Sequence, residues 1–454
     1  MISHQKKIQH LMLRAGFGIA PWELDPLKNK PLSELVNQLF VDSEKYKEIK
    51  YLPYPLNERE QQEGAGGAKL VKLFFKSFAE LEQLNEQWLY KMTHTQAVLR
   101  EKLVFFWHNH FATSVNFGYL MQEQNNTIRR HALGNFGDLL HAIAKDPAMI
   151  LYLNNHQNVK DNPNENFARE LMELFTLGVG NYSEQDIKEA ARAFTGWSLS
   201  NSGAYTFNKD KHDAGEKNFF GEKRNFSGEQ IIDNLLKNKQ TARFITTKIY
   251  KEFVNHEVNK GLIETLSDLF YNSNYHIETL MRAIFTASWF YDEQNIGTKI
   301  ASPVELIVRF KKYFQLEFLK TKQLINYQKA LGQVLFFPPN VAGWKGQTAW
   351  IDSASLLIRL SSISNINEEG RGMKLNAKPQ FEEKFNEKRP DQGVQRLTAN
   401  WDKILEWCTH KNDQQLCDFF IQTSTTSLDL NLLSNISTRD KVVRILTFPE
   451  FQLL

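Results

Sequence analysis

The stretch from Arg100 to Phe111, REKLVFFWHNHF, constrains the fold more than any other part of the chain. Read as a helix, it carries apolar side chains all round its axis, and a helix of that kind is buried. Its charged members then need partners inside the protein, because an unpaired buried charge is very costly. Other elements must therefore surround it. Glu101 and His108 are seven residues apart and share a face. This carboxylate and imidazole are the candidate ligands for a divalent metal. The plainer alternative is a core histidine with one ring nitrogen satisfied. His108 and His110 point about 160–200° apart on a regular helix, so the two cannot share one ion.

A second stretch, Asn162 to Gly178, reads as a sharply punctuated helix. Asn162 suits the N-cap, Pro163 the first helical position, and Glu165 the acidic place of a capping box. Gly178 is a natural stop. Phe167, Ala168, Leu171, Met172, Leu174 and Phe175 share one side; Glu165, Asn166, Arg169, Glu170 and Glu173 share the other. That polar arc contains no lysine. The expectation is that it faces inward, with Arg169 or Arg192 neutralising Glu170 or Glu173. Ordinary i,i+4 ion pairs on a wet face are the alternative.

Helical periodicity covers most of the remaining chain. Residues 201–228 break it with Gly, Asn, Lys and aromatics, and Tyr205-Thr206-Phe207 is expected to pair with Asn218-Phe219-Phe220-Gly221 as a hairpin. His212 and Lys217 lie between those runs and either line a cleft or belong to a turn. Phe336 to Trp350 holds two prolines and two glycines among aromatics, and reads as a rigid loop. The predicted architecture is mainly α: a bundle-like array of many helices with a small β-hairpin insertion and a long aromatic/Pro loop. Residues 1–360 form the main helical domain, with the insertion at about 201–228; 361–400 form a polar linker; and 401–454 form a C-terminal helical segment packing on the main domain.

Net charge is only +3 over 454 residues, so no global field draws the chain to nucleic acid. The 33 Phe, 14 Tyr and 9 Trp suit a deep interior or an aromatic cleft. Cys408 and Cys417, nine apart, match neither a zinc nor a redox spacing. No apolar run reaches the length of a membrane span. No export signal is visible, which makes the cytoplasm the default and leaves export with a partner open. Nucleotide-binding, zincin and serine-hydrolase motifs are absent, as is the Glu-x-x-His pair of di-iron bundles.

Several stretches resemble the bacterial family catalogued as domain of unknown function 1800: LMLRAGFG (11–18), REKLVFFWHNHFATS (100–114), residues 154–197, HDAGEKNFFG (212–221), SPVELI (302–307) and FPPNVAGWKGQTAWID (337–352). The resemblance implies a mostly helical protein with no established reaction. It also implies a possible partner, since genes of this family often adjoin those of domain of unknown function 1501, an alkaline-phosphatase-like group that carries export signals.

Two functional readings follow. In the first, the chain is a binding or assembly component acting with that phosphatase-like partner. In the second, it is an enzyme with a buried Glu/His/Arg site. Glu165, Arg169, Glu170, Glu173, Arg192 and His212 would carry the chemistry, gathered with Glu101 and His108 around one cleft. Trp197, Lys217, Asn340, Trp344 and Trp350 would bind a sugar-like or other small polar substrate. Any cofactor is unknown. A divalent metal on Glu101, His108 and the 165–173 carboxylates would be Zn, Mn or Fe rather than Ca, given mixed N and O donors.

Overall fold

The computed structural model describes residues 2–56, 67–367, 375, 378, 381, 397–425 and 428–454. The chain is mainly α, as its periodicity requires. The helices used below are α1 (His4–Arg14), α2 (Leu32–Ser43), α3 (Gly67–His94), α4 (Val98–His110), α5 (Gly118–His131), α6 (Asn166–Glu170), α7 (Glu184–Ala193), α8 (Lys239–Phe253), α9 (Pro303–Phe314) and α10 (Ser353–Asn367).

Helix α4 carries the apolar-all-round stretch, and it is buried along nearly its whole length by α2, α3 and α5. Its charges find the partners that burial demands. Glu101 accepts from Arg129 Nε at 2.6 Å and Nη2 at 3.0 Å, and from Trp88 Nε1 at 3.0 Å. Arg100 donates to the carbonyls of Ser43 and Arg129 and to Glu44. Lys102 donates to Glu305, which opens α9. Each group exchanges water for charge-assisted bonds, which is why the helix can hold three charged residues in a row inside the core.

The Asn162–Gly178 segment departs from the regular helix predicted for it. Helix α6 starts only at Asn166, behind a turn in which Asn164 Oδ1 accepts the Asn166 N–H at 3.0 Å. Asn162 therefore caps nothing, Pro163 lies outside the helix, and Glu165 takes the N-cap place without a capping bond. From Leu171 to Thr176 the helix widens to π geometry, and it stops at Gly178 (φ +83°) as expected. Helix α7 opens on a capping box that Ser183 and Asp186 close.

The single hairpin predicted across the insertion is two hairpins. Strand β1 (Trp197–Leu199) pairs antiparallel with β2 (Tyr205–Phe207), and β3 (Lys217–Phe219) with β4 (Glu222–Arg224). Between β3 and β4 stand only Phe220 (φ +48°) and Gly221 (φ +83°), the two left-handed residues of a tight hairpin turn. That local turn satisfies β3 before a distant strand can compete for it.

One continuous hydrophobic cluster runs from Ile8 to Phe451. The C-terminal residues join it through aromatic contacts, Phe314 with Trp401 (4.8 Å between centroids) and Tyr313 with Phe419 (5.7 Å). The final residues add a backbone pairing: Leu454 N–H donates to the Lys299 carbonyl at 2.7 Å. Helix α10 runs on to Asn367, into the segment 361–400 expected as a polar linker. Most of the predicted 361–400 linker lies outside the described residues. Cys408 and Cys417 are free and buried, and no described helix is long and apolar enough to cross a membrane.

Candidate functional site

The last three residues of α4 each fix a different segment. His108 Nε2 accepts the Phe336 N–H at 3.2 Å. Asn109 Oδ1 accepts the Trp344 N–H at 2.7 Å, and its Nδ2 donates to the Trp344 carbonyl at 3.3 Å. His110 Nε2 donates to the Phe175 carbonyl at 3.2 Å. The aromatic loop is thereby pinned at both ends to one turn of a buried helix. Gly343 permits this approach: it holds φ +74°, and a Cβ there would lie 2.5 Å from the Asn109 carbonyl oxygen.

These contacts enclose a cavity of about 340 Å³ between α4, α8, the start of α9 and the aromatic loop. Trp344, Trp350, Phe105 and Phe106 form its apolar walls. Four lysines (Lys248, Lys251, Lys299 and Lys345) line it against two carboxylates, Glu252 and Glu305. Both carboxylates are committed. Glu305 lies between Lys102 and Lys299 (2.8 Å to the latter), and Glu252 contacts Lys299. Flanking ammoniums hold Glu305 ionised, far below the usual carboxylate range, although burial opposes this. Burial pulls Lys102 down to about 8 although Glu305, which it touches, and Glu252 favour its charge, whereas Lys299, touching both carboxylates, ends raised despite its burial. Arg14 of α1 adds a further buried cation in the field of Glu252 and Glu305.

Lys248 has no carboxylate partner among the described residues. Its ammonium donates to the Leu174 carbonyl at 3.1 Å and to His110 Nδ1 at 3.2 Å, and burial lowers it to about 8. His110 is kept neutral, chiefly by burial and then by Lys248. The carbonyls holding Lys248 and His110 belong to the π-helical end of the central motif, where terminal carbonyls lack helical partners. Trp344 lines the cavity with a buried indole Nε1 that has no partner among the described residues.

The predicted site residues divide sharply. Trp344 and Trp350 line the cavity; Asn340 is exposed nearby and closes its own turn through the Ala342 N–H. Glu101 and His108 lie in the core behind it, with their acceptors taken by Arg129, Trp88 and Phe336. Among the described residues no three His, Cys, Asp or Glu side chains lie close enough to hold a metal. Burial keeps His108 neutral, down to about 3.

The polar arc of the central motif is partly solvated, not inward-facing. Arg169 pairs with Glu165 at 3.0 Å and with Glu184 of α7 at 2.9 Å, its side chain 35% exposed. Glu173 accepts from Tyr182 Oη at 2.8 Å. Glu170 is half-buried, which raises it, with Glu173 adding to the effect. Arg192 bonds Glu189 and Asp213 at 2.6 and 2.7 Å instead of the arc. His212 Nδ1 donates to the Thr195 carbonyl at 2.9 Å. Lys217 spends its three protons on the carbonyls of Asp213 and Gly215 and on Asn225 Oδ1. Trp197 is buried against Phe194 and Tyr205. The arginines found acids on the next helix and the adjoining loop, so the single cleft expected around all of these groups does not form.

Three sides of the cavity come from stretches set out above, 100–114, 302–307 and 337–352, and the carbonyls of 154–197 hold Lys248 and His110; α8 closes the fourth side. A model of the family described as a protein of unknown function, DUF1800, matches residues 10–453. The chain belongs to the DUF1800 family. No curated protein and no solved structure matches it. The DUF1800 cavity draws on lysines 248, 251 and 299, which none of the recognised stretches contains. Their signal was weak, because isolated lysines on a helix read as solvated. Only a fold that turns Lys248 toward α4 distinguishes it.

Proposed function

We propose that this DUF1800 chain binds a small anionic ligand in the cavity between α4, α8 and the aromatic loop. The observation that carries the reading is the lysine surplus. The two cavity carboxylates are already paired, while Lys248, Lys251 and Lys345 have no carboxylate partner among the described residues. A ligand bearing a carboxylate, phosphate or sulfate would supply the missing charge. The aromatic walls suit a ring face, a sugar or a planar group, and the free Trp344 Nε1 suits an acceptor. This is the small-polar-substrate reading of the sequence, moved from the polar arc to the lysine cavity.

Thermal melting tests it. Sulfate, phosphate or a sugar phosphate should raise the melting temperature above a chloride control of equal ionic strength. Saturation at 100-fold over Kd is worth about 2.7 kcal/mol. Lys251→Gln and Lys345→Gln sit on exposed side chains and should weaken the shift without harming the fold. Equal melting in all salts would refute the reading.

A DUF1501-type partner is the second element. Its support beyond the family resemblance is the exposed stretch of the aromatic loop at Pro339, Asn340 and Ala342, of which Ala342 lines the cavity, so that a second protein bound there would cover the ligand. Co-expression with the adjoining gene product and size-exclusion chromatography test it. Independent elution of the two proteins, with and without sulfate, would reject it.

A further inference from the structure

Lys248 differs from the other cavity lysines in how it is held. Lys299 sits against Glu252 and Glu305, and its ammonium is secured as a charge. Lys251 and Lys345 are exposed. The Lys248 amine instead rests between one carbonyl and one neutral imidazole, with its ammonium 4.8 Å from the centre of the Phe244 ring. Both hydrogen-bond partners are themselves fixed: Leu174 by the π-helical end of the central motif, and His110 by its bond to the Phe175 carbonyl. The nitrogen is therefore positioned without a counter-ion. Capping a helix end explains one of its bonds, that to the Leu174 carbonyl. It does not explain why the same nitrogen lines a cavity whose other lysines gather anionic charge.

We propose that Lys248 is the nucleophile of this cavity and forms an imine with the carbonyl carbon of an anionic aldehyde or keto acid. The proposal rests on the anion-binding reading above. The neutral Nζ attacks the carbonyl carbon, and the C=O π pair moves to oxygen, which takes one amine proton. The resulting carbinolamine expels that oxygen as water with the second amine proton, leaving a C=N bond to Lys248. One ligand oxygen and two amine protons account for the water, and no oxidant or reductant is needed. Lys251 and Lys345 hold the ligand's anionic group. His110 is a positioning residue: its Nδ1 accepts from Nζ and fixes where the lone pair starts. An amine brought down to about 8 is neutral in about one molecule in ten at pH 7, far more than an ordinary lysine.

The test uses glyoxylate, a small anionic aldehyde, with sodium cyanoborohydride to trap any imine, followed by peptide mass mapping. The expected result is one reduced adduct per chain, on Lys248, forming at least tenfold faster than on any exposed lysine and slowed by sulfate. Lys248→Arg should abolish that adduct. Mapping the wild-type protein answers the question even if the variant fails to fold. Adducts spread over surface lysines, or a Lys248 adduct indifferent to sulfate, would overturn the proposal. A sulfate melting shift without Lys248 trapping would remove the imine and leave the binding cavity standing. Absence of the shift would remove the cavity reading itself.

Discussion

Lys248 Nζ lies 3.2 Å from Nδ1 of His110, and these two side chains end on the carbonyls of consecutive residues, Leu174 and Phe175. The pair closes the C-terminal end of the central motif and at the same time lines the cavity. His110→Phe would strand both the Phe175 carbonyl and one Lys248 proton. Urea unfolding should show a loss of about 1–3 kcal/mol, with His110→Gln milder because it can still donate. Equal stability of the Phe variant and the wild type would mean that the pair contributes nothing to closing the helix.

The buried histidines set an acid limit. His108 is neutral in the fold down to about 3, and His10 and His110 are also lowered, all chiefly by burial. In the unfolded chain a histidine takes its proton near 6.5. Below that pH the unfolded state binds more protons, so stability falls as pH drops from about 6.5 toward 3. Asp146, raised to about 7 by burial, works the other way between about 3.9 and 7. Melting curves from pH 7 to 4 should fall, and His108→Gln, which keeps an acceptor for the Phe336 N–H, should flatten the slope. An unchanged slope would contradict the assignment.

Ion pairs at two depths should behave differently. Arg129 and Glu101 are fully buried, so Arg129→Met leaves a bare carboxylate and should cost about 3–5 kcal/mol. Arg169 pairs with Glu165 and Glu184 in partial contact with water, and Arg169→Ala should cost less than about 1 kcal/mol. Chemical denaturation of both variants decides this, and similar losses would show that exposure is not what separates them.

Gly343 is the hinge-free point of the aromatic loop. Its positive φ and its closeness to Asn109 leave no room for a methyl group. Gly343→Ala should cost about 1–3 kcal/mol and move Trp344, with a red shift of tryptophan fluorescence and a weaker response to sulfate. A variant with native fluorescence and native melting would show that the loop can shift without loss.

Much of the fold was legible in the chain. REKLVFFWHNHF demanded burial because its apolar residues leave no wet side, and the structure surrounds it. Ser183 and Asp186 announced a helix start because a capping box is satisfied within four residues. Phe336 to Trp344 could not be helix, since adjacent prolines remove donors and clash with the preceding turn. These are local rules, and local sequence is enough to apply them.

What the sequence determined by itself was therefore the helical class, the buried status of α4 and the non-helical character of the aromatic loop. The tertiary structure decided where charge is concentrated. Arg169 and Arg192 could have neutralised Glu170 and Glu173, but Glu184, Glu189 and Asp213 come closer once α7 and the hairpins pack. Lys248 and Lys299 carry no signature in sequence, because a lysine's role depends on which carboxylates lie within a few ångströms. Among the described residues Lys299 met two and Lys248 met none. Pairing across long loops is a property of the folded neighbourhood, and it placed the candidate site beside the motifs that sequence had singled out.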